Sequence, residues 1–272
     1  MASVARRNLG AAIADQVVSS ASNFLVGVVI GRFAGVDQLG TYSIAFFLWL
    51  ILIGLNRSIL TEPIVIFADD LETRARLRSA SRSQLSLALS FGAGVAALSG
   101  LAYVFGNDLW RTTLVLAVGL PALFAQDFWR AIGFGVHRPT LALVNDIVFI
   151  VVQFGFTAAF IALDFTTAPW FILAWAIGAT AGALVGFLQF RVLPLLVPGT
   201  QELKALWTQS RWMMGDFVTM TGVREFQQLL VALILPRADA GGLRAAESLM
   251  GPSVVVKLSG GNIGLPMMTR SY

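Results

Sequence analysis

Apolar residues gather into eight long blocks bounded by charge, Gly or Pro, at 10–34, 41–67, 81–105, 110–133, 140–163, 169–193, 208–235 and 242–267. Each is close to or longer than the roughly 20 residues that a helix needs to cross the hydrocarbon of a bilayer. The pattern predicts an all-α, polytopic transmembrane helix bundle of about eight spans. Asp15 and Asn23 interrupt the first block, which is too long and too polar for a cleaved signal, so it is expected to be a retained helix.

Composition agrees. The 272 residues are 57% hydrophobic and 12% charged, with a mean hydropathy of +0.77, whereas about a quarter of a soluble domain is charged. Eight spans consume nearly the whole chain and leave no room for a sizeable soluble domain. With no cysteine, disulfide frameworks, thiolate metal sites and cysteine nucleophiles are excluded. The single histidine, His137, stands in the charged turn Val136-His137-Arg138-Pro139 and lacks the partners a metal site needs, so no cofactor is expected.

The pI near 10.1 invites a nucleic-acid partner, but the basic residues are dispersed over short loops and form no single face. Their distribution instead reports orientation, because cytoplasmic loops carry the excess of Lys and Arg. Arg6, Arg7, Arg74, Arg76, Arg78, Arg82, Arg130, Arg138, Arg191, Lys204, Arg211 and Arg270 fall on one side; Arg32, Arg111, Arg237 and Arg244 fall on the other. This bias puts the N-terminus in the cytoplasm of a multi-pass protein of the cell membrane. The run Arg74 to Arg82 reads as a topogenic loop, with anionic lipid head groups as the alternative partner.

Two segments repeat. Asp15 matches Asp216 at an offset of 201, Gly40 meets Gly242 at 202, and Pro63 meets Pro266 at 203. Six spans separate the copies, so both run in the same direction, as in transporters built from two parallel lobes around a midplane site. Residues 1–200 are then a six-helix lobe, and 201–272 are the first helix pair of an incomplete second one. A lobe of two helices cannot enclose a cavity, so a fragment, or a chain completed by a partner, is expected.

Charge inside hydrocarbon needs a partner or a wet cavity. Asp15, Ser19, Ser22 and Asn23 share a stripe of the first span; Arg57, Ser58, Thr61 and Glu62 cluster in the second. Thr221, Arg224, Glu225 and Gln228 do so in the seventh, and Ser253 and Lys257 in the eighth. Arg57, Arg224 and Lys257 would make the lobe interface cationic and suited to a phosphate or pyrophosphate head group. Asp15, Glu62 and Glu225 are candidates for coupling to protons or sodium. A structural alternative pairs Asp15 with Arg57, and Glu225 with Arg224 or Lys257. Asp127 and Arg130, three apart near a helix end, are expected to form a local ion pair. Gly178, Gly182 and Gly186 recur every four residues, which lets a neighbouring helix approach closely.

The opening segment, with Asp15-Gln16, Asn23-Phe24-Leu25, Leu39-Gly40, Gly54-Leu55-Asn56-Arg57 and Thr61-Glu62-Pro63, resembles Wzx-like polysaccharide flippases. These belong to the multidrug/oligosaccharidyl-lipid/polysaccharide exporter superfamily. Arg211-Trp212, Gly242-Leu243-Arg244 and Gly251-Pro252 are similar to that family's second lobe. The resemblance implies two rocking six-helix bundles that translocate polyprenyl-pyrophosphate-linked oligosaccharide for polysaccharide or O-antigen export, with Arg57, Arg224 and Lys257 attracting the pyrophosphate and Asn23 and Gln228 lining the sugar path. A multidrug exporter of the same superfamily is the alternative, although its cationic drugs favour carboxylate-lined, aromatic cavities. A membrane glycosyltransferase or polymerase would need a carboxylate-rich outer loop, and the outer acids Asp37, Asp108, Asp164 and Asp239 look isolated. The expectation is therefore a transporter and not an enzyme.

Overall fold

A computed structural model describes residues 2–67, 71, 73–192 and 197–247; apart from Ala14, side chains are described from Val17 onward. The described residues are helices joined by short turns, with no strand. Helix α1 (Ala2–Phe33) ends at a turn in which Gly35 takes φ 86°, a left-handed conformation that glycine adopts without strain. Helix α2 (Val36–Asn56) passes through a π-helical turn (Arg57–Thr61) into α3 (Glu62–Phe67). Pro63 has no N–H to give the Ile59 carbonyl four residues back. The Ser210 hydroxyl reaches that carbonyl instead, at 2.7 Å.

Four long helices follow: α4 (Arg74–Val104), α5 (Leu109–Gly135), α6 (Pro139–Ala162) and α7 (Ala168–Gln189). Thr73 caps α4, its hydroxyl accepting from the Arg76 N–H. Pro121 interrupts α5 without ending it, and it cannot donate to the Ala117 carbonyl. Gly92 of α4 lies against that carbonyl, where an added Cβ would sit 3.0 Å from the oxygen. The expected glycine stripe of α7 is a packing device: Gly178 meets Phe149 and Gln153 of α6, Gly182 meets Gln126 and Asn145, and Gly186 meets the Trp129 ring. Helix α1 packs on α6, and α2 on α5 and α7. The core joins Tyr42 and Phe46 to Trp175, with ring centroids 6.3 and 5.9 Å apart.

Beyond α7 the chain is strapped to α4. Gly199 N–H donates to the Arg82 carbonyl and the Ser86 hydroxyl, and Arg76 pairs with buried Glu202 at 3.3 Å. Part of the basic run thus holds this connection. Short α8 (Gln201–Ala205) leads to α9 (Trp207–Phe217), a second π-helical turn (Val218–Gly222) and α10 (Val223–Ile234). The chain is helical again from 237 to 247.

Five helices are long and apolar enough to cross a membrane: Val36–Phe67, Arg74–Val104, Leu109–Gly135, Pro139–Ala162 and Ala168–Gln189. They make this chain consistent with a membrane protein. The described apolar part of α1 is shorter, Val17–Phe33. Residues 207–234 are helical but not among the five, and most of the expected eighth block, with Lys257, lies outside the described residues.

The helix boundaries repeat at the smallest of the offsets seen in sequence. Phe33 and Ile234 end helices, and residues 36 and 237 begin the next ones, each pair 201 apart. The contacts are reciprocal. A Cβ on Gly40 would run into the Arg237 carbonyl oxygen, and one on Gly241 into the Val36 carbonyl oxygen. Mutual exchange of equivalent patches is the mark of a two-fold relation. Gly40 therefore corresponds to Gly241, not to Gly242 as the offset of 202 suggested.

Candidate functional site

About 25 Å along α2 from Gly40, at 1.5 Å per residue, a cavity of about 540 Å³ opens between the two helix pairs. Leu50, Ile53, Gly54, Arg57, Ser58 and Glu62 line it from α2–α3, and Trp212, Met213, Asp216, Phe217, Thr221 and Glu225 from α9–α10. Both π-helical turns contribute to its wall, through Arg57 and Ser58 on one side and Thr221 on the other. Such turns recur at functional sites because they re-aim side chains within a helix. Gly54 leaves room for the Phe217 ring, which an added Cβ would strike.

Arg57 is held from behind. Its Nε donates to Asp127 Oδ2 at 2.9 Å and its Nη2 to Oδ1, a bidentate pair with a buried carboxylate of α5. The guanidinium has five N–H donors, so three are left over. Arg57 and Glu62 also line an adjoining cavity of about 280 Å³ that reaches Asp127 and Arg130. The expected Asp127–Arg130 pair does not form, because partners on other helices lie better placed. Asp127 takes Arg57, and Arg130 donates to Asp146 at 2.9 Å. Behind them Gln126 donates to Asn145 and Asp146, Asn145 donates to the Gly182 carbonyl, and Gln84 donates to Asn56. This network ties α2, α4, α5, α6 and α7 together at one depth.

Three of the candidate site residues come together: Arg57, Glu62 and Glu225. Arg224 is exposed and outside the lining, since adjacent residues of a helix point about 100° apart. Gln228 is one turn beyond Glu225, outside the lining, and donates to Glu247 at 2.7 Å. Asn23 is exposed on α1 and likewise absent from the wall, because the α1 stripe turns Ser22 inward and Asn23 out. Lys257 and the side chain of Asp15 lie outside the described residues. The expected cationic interior is therefore not what the described lining holds. One ion-paired arginine faces Glu62, Asp216 and Glu225.

Arg244, counted as an outer-loop cation, is buried between the helix pairs, its guanidinium carbon 3.9 Å from the centroid of the Phe46 ring. The cause is a helix that starts at 237 instead of 242, which carries Arg244 two turns inside. Among the described residues no group of three or more His, Asp or Glu side chains is placed to hold a metal ion. Comparison with protein-family models, curated proteins and solved structures gives no match to this chain.

Proposed function

We propose that this protein is a membrane flippase for polyprenyl-diphosphate-linked oligosaccharide, serving polysaccharide or O-antigen export, with the cavity between α2–α3 and α9–α10 as its substrate site. The observation that carries the reading is the composition of that wall around a fixed arginine. A guanidinium clamped by Asp127 offers its remaining donors to diphosphate oxygens in a set orientation. Glu62, Asp216 and Glu225 can accept hydrogen bonds from sugar hydroxyls, and the Trp212 ring offers an apolar face. In the orientation that the basic residues favour, the Gly40–Gly241 contact closes the outer end and the cavity lies on its cytoplasmic side. A substrate shifts such a closed state only by binding the alternative one more tightly, and Glu62 and Glu225 are the groups we assign to ion coupling.

A second reading, a cation or multidrug exporter, is favoured by one observation: three carboxylates against one paired arginine in the cavity. Binding to the purified protein separates the two. A fluorescent polyprenyl-diphosphate-linked sugar should bind the protein and cross the bilayer of vesicles that contain it. Arg57→Ala should weaken binding about tenfold, the equivalent of one lost charge-assisted hydrogen bond of about 1.5 kcal/mol. Unchanged binding and transfer remove Arg57 from the site. Tight binding of a lipophilic cation, lost in Glu62→Gln and Asp216→Asn, selects the exporter.

A further inference from the structure

A second polar cavity, of about 480 Å³, lies at the end of the bundle where α2, α5, α7 and the 237–247 helix begin. Its wall brings together Asp37 of α2, Asp108 and Arg111 at the start of α5, and Arg237 at the start of the last described helix. Two carboxylates and two guanidiniums thus share one hollow, yet none of the four takes part in an ion pair among the described residues. Thr112 also lines it. Thr112 is 1% exposed, and its hydroxyl, which makes no hydrogen bond among the described residues, is left available to an occupant of the hollow.

Charge arithmetic narrows the ligand. A simple anion would meet the two aspartates, and a simple cation would meet the two arginines. A compact zwitterion satisfies both pairs at once. Arg111, Arg237 and the Thr112 hydroxyl supply donors for an oxyanion, which arginine binds in two-pronged fashion. Asp37 and Asp108 are acceptor-only groups and call for a partner with several N–H donors.

Position narrows it further. The turns at this end carry paired aromatic rings, Tyr103 with Trp110 at 5.3 Å and Phe165 with Trp170 at 4.5 Å. Aromatic residues of this kind mark the level of the lipid head groups.

We propose that this cavity binds a phosphoethanolamine group, with the phosphate between Arg111, Arg237 and Thr112 and the primary ammonium at Asp37 and Asp108. The group can come from the head of phosphatidylethanolamine or from a soluble phosphoethanolamine compound. Because Arg237 also supplies the carbonyl that abuts Gly40, an occupant bridges α5 to the second helix pair and stabilises their contact. The inference is independent of what the central cavity carries.

Thermal unfolding and equilibrium binding of the purified protein in detergent test it, using soluble O-phosphoethanolamine in one arm and mixed micelles of phosphatidylethanolamine in the other. Binding in either arm, with a raised unfolding temperature, supports the site, and the arm that binds identifies the source. Orthophosphate, phosphocholine and phosphatidylcholine should bind at least about tenfold more weakly, since none offers an ammonium N–H. Arg111→Gln and Asp37→Asn should each weaken binding about tenfold. Thr112→Val, which keeps the shape of the side chain, should weaken it measurably even if the charge variants fold poorly. Arg138→Gln, at the other end of the bundle, should have no effect. Equal binding of phosphocholine or orthophosphate, or no binding in both arms, overturns the proposal.

Discussion

Two helix pairs in this molecule share their boundaries and differ in their surroundings. In the first pair, α1 and α2 lie against α5, α6 and α7, and Ser22, Val26 and Ile30 of α1 are buried. Shifted by 201 residues, the same positions are Val223, Gln227 and Val231, and all three are exposed among the described residues. Helix ends and the inter-helix turn are local features, set by Gly35 in one copy and Pro236 in the other. Burial is not local. It depends on which other helices arrive to cover a face, and among the described helices α5, α6 and α7 pack on the first pair and not on α9 or α10.

The reciprocal glycine contact is the point at which this comparison is most easily broken. Gly40→Ala or Gly241→Ala should cost about 3 kcal/mol, because the obstacle in each case is backbone that cannot turn aside. Gly94→Ala, at a helical position with open space around it, should instead gain about 0.5 kcal/mol. The measurement is the midpoint of thermal unfolding in detergent. Opposite signs for Gly40 and Gly94 confirm a close two-fold approach, whereas equal small gains would dissolve it.

A smaller effect sharpens the difference in burial. Ile30→Ala leaves a hole in a packed interface and should cost about 2 kcal/mol. Val231→Ala, its counterpart at 41% exposure, should stay within about 0.5 kcal/mol. If the two substitutions cost the same in the purified protein, the second helix pair is as well covered as the first and the contrast fails.

The sequence pattern located five membrane-length helices with their ends within about four residues, although α2 and α4 begin five and seven residues earlier than expected because polar and charged residues continue those helices beyond the apolar blocks. The offset of 201 between Asp15 and Asp216 is the one at which helix boundaries recur, and the pattern identified Arg57, Glu62 and Glu225 as polar groups in apolar helices. What it missed lay in directions around helices and in contacts between them. Arg224 and Glu225 are neighbours in sequence, yet only Glu225 lines the cavity. Asp127 looked committed to Arg130 by the local spacing rule, although Arg57, seventy residues away, is its partner. Asp37 and Asp108 looked isolated because their shared cavity exists only once α2 and α5 are side by side. A buried carboxylate in an apolar helix was the signal that a distant cation had to be found for it.

That ion pair gives the last and smallest of these effects, and it separates architecture from chemistry in the first lobe. Asp127→Ala strips the buried half of the pair and leaves Arg57 with no counter-charge behind it. The side chain of Arg57 keeps 40% of its surface exposed, against 7% for Asp127, so water in the cavity takes up part of the loss. The cost should be about 1.5 kcal/mol, below the 3 kcal/mol or more of a sealed pair. Combining Asp127→Leu with Arg57→Met removes both charges and should recover most of that stability. If the double variant is as stable as the unaltered protein but no longer binds the fluorescent diphosphate-linked sugar, the pair exists to aim Arg57 at a ligand. If stability stays low in the double variant, the pair's main work is to hold α2 to α5, and the charge seen in the cavity is a by-product of packing.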